Sequence, residues 1–317
     1  MTNWRTHVVN SSGLNARRLA RATAAALTAA LVATGASSAV AADQPAPTYT
    51  RPSVDVKPSG VSKYTGSTAL PGDAQVNPLF GVDNGGVLWG YPPNGEGGLE
   101  SRIWSGDNWQ TVRTITQTDQ DADGWADGIW YVTSGGQLVY SVGGDTDDQL
   151  VGNGWKIYNQ LFSPANVGGA AADDLLARDG SGVLWLYLGY GNGKLTTRYK
   201  VGSGWNIYTD ITGKGDLTGD GKADIVAKDT SGVLWLYKGT GNYKAPFASR
   251  TRIGGGWNTY NKVVSVGDID IDGITDLVAR DKTGALYLYK GTGNAAAPYA
   301  SRVKIGSGGW NTYRLMF

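Results

Sequence analysis

From Gly72 onward this chain repeats itself. A Trp closes each unit, at Trp109, Trp155, Trp205, Trp257 and Trp310, with spacings of 46, 50, 52 and 53 residues. A second marker runs in the same register: Gly86–Tyr91 (GVLWGY), Gly136–Ser141 (GQLVYS), Gly182–Tyr187 and Gly232–Tyr237 (both GVLWLY), and Gly284–Tyr289 (GALYLY). Both markers count five copies, and residues 73–317 allow 49 positions for each. A unit of that size cannot bury its own apolar face, so the copies must pack on one another, which restricts the fold to repeat architectures.

Within a unit the pattern is that of β-strands. Ala223–Asp229 and Thr275–Asp281 are short apolar runs bounded by turn residues, which predicts buried strands. The LWLY segments alternate Leu with aromatic residues and follow a Ser-Gly or Thr-Gly turn, which predicts a hairpin. Gly-Thr-Gly-Asn then interrupts the chain at Gly239–Asn242 and Gly291–Asn294, SRTRIG or SRVKIG supplies a third strand, and WNTYNKVV or WNTYRLMF a fourth. Four antiparallel strands in five copies predict an all-β fold, a five-bladed β-propeller. A β-solenoid repeat is usually shorter, and a β-sandwich need not repeat its sequence.

The first 41 residues read as a secretory signal. Arg17, Arg18 and Arg21 precede an Ala/Leu/Val-rich core from Ala22 to Val32, and Ala39-Val40-Ala41 suits cleavage. Residues 42–72, with scattered Pro, Gly, Ser and Thr, read as a linker, in which Thr68-Ala69-Leu70 is a candidate edge strand that would close the ring. The expected location is extracellular, with no membrane insertion. Without residues 1–41 the chain keeps 24 Lys and Arg against 27 acids, a net charge of −3, which is no nucleic-acid footprint. There is no Cys, so disulfides cannot brace an exported fold. Glu96 and Glu100 are the only Glu residues against 25 Asp, a skew towards the short carboxylate that loops and calcium sites use.

Much of that Asp stands in three loops in register. They are Asp119-Gln-Asp121-Ala-Asp123-Gly124-Trp-Ala-Asp127, Asp216-Leu-Thr218-Gly-Asp220-Gly221-Lys-Ala-Asp224 and Asp268-Ile-Asp270-Ile-Asp272-Gly273-Ile-Thr-Asp276. Oxygen donors at positions 1, 3, 5 and 9 with Gly at 6 suit a hard cation, so Ca²⁺ is the expected cofactor. The competing reading is a polar turn that uses Asp for local hydrogen bonds. An EF-hand is excluded, because position 12 is Trp130, Ala227 or Ala279 where a bidentate Glu would be needed. The first unit has no acidic loop, and the third keeps only the final Asp, Asp174, so those two blades are expected to be metal-free.

These loops, each leading into a buried strand and a Gly-x-Leu hairpin, resemble the FG-GAP/VCBS repeat of the integrin α-chain propeller and of many secreted bacterial proteins. The resemblance covers residues 114–317. It implies calcium as a structural brace and an adhesive or ligand-binding role without catalysis; the integrin propeller has seven blades, so blade number does not carry over. Gly154–Phe162 and the GGGWNTY stretch also resemble, more loosely, the five-bladed tachylectin-type lectins.

The aromatic residues are the other candidates. A Gly-Trp pair followed three residues on by Tyr recurs at Trp155/Tyr158, Trp205/Tyr208, Trp257/Tyr260 and Trp310/Tyr313, and Trp125 stands at loop position 7. An indole beside Gly can stack on the apolar face of a sugar, and a Trp in every repeat also suits blade-to-blade packing. Arg102, Arg198, Arg250 and Arg302 recur seven or eight residues before a closing Trp and suit stacking on a neighbouring ring. The single His, His7, lies in the signal, so Ser-His-Asp, Cys and His-zinc chemistry are excluded from the mature chain. A glycosidase on a five-bladed propeller needs a carboxylate pair unique to one blade, and none stands out. The expectation is a monomeric, non-catalytic module that binds a glycan or an extracellular or cell-surface protein.

Overall fold

A computed structural model describes residues 53–54, 74–142, 148–170 and 172–317. The expected signal segment, Thr68–Leu70 and all of the expected linker except Ser53–Val54 lie outside the described residues. The described chain folds into five antiparallel sheets arranged as the blades of a β-propeller. None of its helices is long and apolar enough to cross a membrane.

Blade 1 contains β1 (Ser53–Val54), β2 (Leu79–Asp83), β3 (Leu88–Tyr91) and β4 (Ile103–Asp107). Blade 2 contains β5 (Thr114–Thr118), β6 (Gly128–Val132), β7 (Leu138–Ser141) and β8 (Gln149–Gly152). Blade 3 contains β9 (Tyr158–Phe162), β10 (Leu175–Asp179), β11 (Leu184–Tyr187) and β12 (Tyr199–Gly202). Blade 4 contains β13 (Tyr208–Thr212), β14 (Ile225–Asp229), β15 (Leu234–Tyr237) and β16 (Thr251–Gly254). Blade 5 contains β17 (Tyr260–Gly267), β18 (Asp276–Asp281), β19 (Leu286–Tyr289) and β20 (Val303–Gly306). The last strand, β21 (Tyr313–Met316), returns to blade 1, where Gly81 pairs with Met316 and Val82 with Leu315.

Ring closure therefore joins the chain's end to its first full blade, and the sequence unit is offset from the blade by one strand. The strand after each closing Trp is the innermost strand of the next blade. Among the described residues β1 pairs with β4, at the outer edge of blade 1.

Strand chemistry accounts for the layers. The second strand of a blade, such as Ile225–Asp229, is buried along almost its whole length because both faces meet neighbouring blades. The third, such as Leu234–Tyr237, alternates buried Leu with half-buried aromatic residues. The turn between them needs Gly182 or its counterparts at φ near +80°, a conformation costly for residues with a Cβ. That glycine's carbonyl then accepts the Trp205 N–H at 2.9 Å, which ties the closing Trp to the hairpin of the preceding blade.

The core is five clusters, one at each blade junction, and each contains one closing Trp. On the axis, the five innermost strands surround a cavity of about 260 Å³. Its end next to the Asp loops is crossed by residues 74–78. There the Ala74 N–H bonds Gly273 O at 2.9 Å, Val76 N–H bonds Gly124 O at 3.0 Å, and Gln75 O accepts the Asp268 N–H at 2.8 Å. The Gln75 amide reaches Asp173 at 2.6 Å, and Asp173 is also paired with the buried Lys214 ammonium at 2.6 Å. Among the described residues, the channel is thereby blind at this end.

Candidate functional site

Two Asp loops gather their carboxylates. Asp119, Asp121 and Asp127 converge in blade 2, and Asp268, Asp270 and Asp276 in blade 5, each set with oxygens within 4.8 Å of one another. These are loop positions 1, 3 and 9. Position 5 also caps its own turn: Asp123 and Asp272 each accept through one oxygen, the N–H of Trp125 at 3.0 Å and of Ile274 at 2.9 Å. In blade 4, Asp220 likewise accepts the Lys222 N–H and also pairs with Lys238 at 3.2 Å.

Position 1 organises the loop backbone. Asp119 accepts N–H bonds from Ala122 and Gly124, Asp216 from Thr218, Gly219 and Gly221, and Asp268 from Ile271, Asp272 and Gly273. Burial and the nearby Asp173 charge push the Asp119 carboxyl up to about 8. Burial pushes Asp268 and Asp276 up to about 7, with smaller repulsion from neighbouring loop carboxylates. Clustered buried carboxyl groups of this kind are costly to ionise without a cation.

The donor sets fit a hard cation. At position 3 one Asp270 oxygen is buried without a hydrogen-bond partner, in an otherwise well-bonded loop. The other Asp270 oxygen takes the Lys290 ammonium at 2.7 Å, so in blade 5 a divalent ion would share this carboxylate with a lysine. In blade 2 the position after the third strand is Val142, which brings no such competitor.

Position 9 has a second role that the metal-loop reading did not anticipate. Asp276 accepts the N–H groups of Ile269 and Gly291, and Asp224 those of Leu217, Thr218 and Gly239. Asp174, in the loop with no cation set, makes the same bonds to Val167, Gly168 and Gly189. This carboxylate staples the loop to the next hairpin whether or not a metal site accompanies it. Its signal in the sequence was the lone Asp174 left in the third loop.

The recurring Trp residues lie between blades. Trp155, Trp205, Trp257 and Trp310 are only 6–8% exposed. Their rings lie 4.4–4.8 Å from those of Tyr187, Tyr237, Tyr289 and Tyr91. Packing is thus one role they fill, leaving little of each side chain accessible. Trp125 is separate from them, half-buried in its loop.

Beside each of these four Trp residues stands the same polar arrangement. The phenol pairs Tyr158–Tyr187, Tyr208–Tyr237 and Tyr260–Tyr289 are 2.5–2.6 Å apart, and Tyr313–Tyr91 is equivalent. Arg198, Arg250, Arg302 and Arg102 each donate to the first phenol of the pair. The same guanidinium groups lie 4.0–4.6 Å over Trp185, Trp235, Tyr287 and Trp89. Asp229 fixes that platform: one oxygen accepts Trp235 Nε1–H at 2.8 Å and the other caps the hairpin turn. Slight burial raises this carboxyl, but the bonds from Trp235, Val233 and Ser231 outweigh it and hold the group below its ordinary range.

Within each phenol pair one O–H donates to the other oxygen, and the accepting phenol keeps its own O–H as a donor. Burial, then the bond to Tyr208, pushes the Tyr237 hydroxyl far upward, so it stays protonated. In blade 4 these groups border a cleft of about 160 Å³ lined by Ser203, Gly204, Trp205, Ile207, Tyr208, Tyr237 and Arg250. Blade 2 lacks the set: Val112, Val139, Ser141 and Asp148 replace the Tyr, platform, Tyr and Arg, and Trp109 is fully buried.

The model of the FG-GAP-like repeat matches residues 216–279, which run from the second Asp loop through the third. Comparison with curated proteins gives no match. Among solved structures, the chain is similar to the BP39L lectin of Burkholderia pseudomallei, at 14% identity over 72% of this chain and 69% of that one, with a TM-score of 0.46. It is also similar to Prp20p of Saccharomyces cerevisiae, at 11% identity over 70% of this chain and 59% of that one, with a TM-score of 0.35. The chain is a five-bladed β-propeller that carries an FG-GAP-like repeat at residues 216–279.

Proposed function

We propose that this protein is a secreted, calcium-braced, non-catalytic module that binds carbohydrate through four equivalent inter-blade clefts. One observation carries the reading: the Trp, paired Tyr and stacked Arg recur with the same geometry in blades 1, 3, 4 and 5. Each cleft offers an aromatic edge, a phenolic O–H and guanidinium N–H groups, which suits the apolar faces and hydroxyl groups of a sugar. Four shallow sites on one rigid ring would give avidity on a multivalent glycan surface.

The metal loops serve this reading as braces, since three carboxylates and backbone oxygens on a tight turn suit Ca²⁺. Export is supported by the signal-like stretch through Ala41. The absence of catalysis is supported by how the raised carboxyl groups are used: Asp119, Asp268 and Asp276 are almost fully buried and accept backbone N–H bonds.

The test is a glycan array followed by titration of the best hit. Binding should fall stepwise as Arg102, Arg198, Arg250 and Arg302 are changed to Gln, about tenfold or more per cleft, because each loses a charge-assisted hydrogen bond. A blank array, or full binding by the fourfold variant, would refute the proposal. Partners captured regardless of free sugar would point to protein binding.

A further inference from the structure

We propose that the blind central channel is a second binding site, separate from the clefts, that takes one small hydroxylated carboxylate of sugar-acid size. The open mouth of the channel is rich in positive charge. Arg113, Arg178, Lys262 and Arg314 line the cavity, and the acid near this mouth is Asp210, already paired with Lys228 at 2.8 Å. Lys262 lies 3.9 Å from the other Asp210 oxygen. Arg178 bonds Asn159 and the carbonyls of Trp205 and Tyr208, and Arg314 those of Val112 and Trp109, all neutral acceptors that cancel no charge. At the closed end Lys214 and Asp173 neutralise each other. The surplus is positive, and low-dielectric walls focus such a field on an anion that enters.

Beside these charges the channel wall has a second, neutral requirement. Gln160 and Gln117 both line the cavity, and the side-chain oxygen of each is buried with no hydrogen-bond partner. Each amide nitrogen already donates once, to Ile211 O at 2.8 Å and Pro78 O at 2.9 Å, whereas neither oxygen accepts, so the larger unmet need is for donors. Gln160 pairs directly with Arg178 across the β9–β10 ladder, so one small molecule can meet both. Gln117, in β5, lies four residues on from Arg113, which precedes that strand, about 13 Å at the usual strand rise.

A ligand that satisfies both halves carries a carboxylate for the guanidinium groups and hydroxyl donors for the glutamines. A bare phosphate satisfies only the first, and a neutral sugar only the second. The volume of about 260 Å³ lies below the ~300–1,000 Å³ typical of drug-sized ligands. It suits a single sugar residue, and residues 74–78 close the far end against a chain passing through.

Calorimetric titration of the calcium-loaded protein with sodium glucuronate, glucose and inorganic phosphate tests this. Glucuronate should bind once per chain, at least tenfold more tightly than glucose or phosphate. The Arg113→Gln/Lys262→Gln double variant should weaken it at least tenfold. Gln160→Glu, which sets a like charge against the carboxylate with little change of shape, should abolish it. Arg250→Gln, which disables a cleft, should leave glucuronate binding intact, so this proposal and the cleft reading can fail separately. Four sites per chain, phosphate or glucose binding as tightly, or unchanged affinity in the double variant and in Gln160→Glu would each overturn it.

Discussion

Asp174 separates two jobs that are superimposed in the other Asp loops. It sits in a loop with no cation set, yet accepts backbone N–H bonds from Val167, Gly168 and Gly189. Burial pushes its carboxyl up to about 7, although those three bonds pull it down. Its folded value thus lies above the unfolded one near 3.9, so its contribution to stability is fully present below about pH 4 and is lost as pH rises through about 7. In saturating calcium, urea midpoints should fall between pH 5 and pH 8.5, with a ceiling near 4 kcal/mol for this group. Asp174→Asn should start lower by about 1–3 kcal/mol and show a flatter pH course. An equal pH course in both proteins would show that Asp174 is ionised throughout. The residue types at loop positions 1 and 9 are legible in the sequence. Their backbone partners are not, because Gly189 and Gly239 lie fifteen residues from Asp174 and Asp224 and meet them only after the hairpin forms.

At the scale of elements, the two loops with converging carboxylates also hold the segment that closes the channel. Gly124 and Gly273, at position 6 of the blade 2 and blade 5 loops, supply the carbonyls that accept from Val76 and Ala74. Asn77 adds a bond from the Ala126 N–H at 2.9 Å and one to Val266 O at 3.0 Å. A cation that stiffens these loops therefore also secures residues 74–78. Chelation should lower the melting temperature and speed amide exchange at Ala74 and Val76 first. Calcium at a hundredfold excess over Kd should restore about 2.7 kcal/mol per site. An unchanged melt and unchanged exchange would leave the loops as turns only. The coupling was invisible in the sequence, where residues 74–78 follow a linker-like stretch and carry no motif.

For the whole molecule, stability depends on closing the ring. β21 is the innermost strand of blade 1, and Phe317 exchanges both backbone bonds with Phe80, over which its ring stacks at 5.4 Å. Tyr313 lies so close to Gly81 that a Cβ there would stand 2.7 Å from its ring. Deleting residues 313–317 should strip β2 of its inner partner and open the junction between blades 5 and 1. The expected outcome is loss of the cooperative thermal transition, followed by calorimetry, with exposed strand edges promoting aggregation. A truncated chain that melts like the full one would mean that closure adds little.

The sequence by itself determined the copy number, the four strands per unit and the short carboxylates of the loops, because each of these is written in local periodicity and spacing. Tertiary structure decided the rest. It moved the strand after each Trp into the next blade, because a ring needs its two ends to share a sheet. It set the repeated Trp between blades, with a phenol pair and a stacked Arg at its edge, groups that lie up to 222 residues apart in the chain. It also brought Arg113, Arg178, Lys262 and Arg314 from four blades to one channel mouth. Such convergence follows from five strands meeting on one axis, and no local pattern encodes which side chains will face one another there.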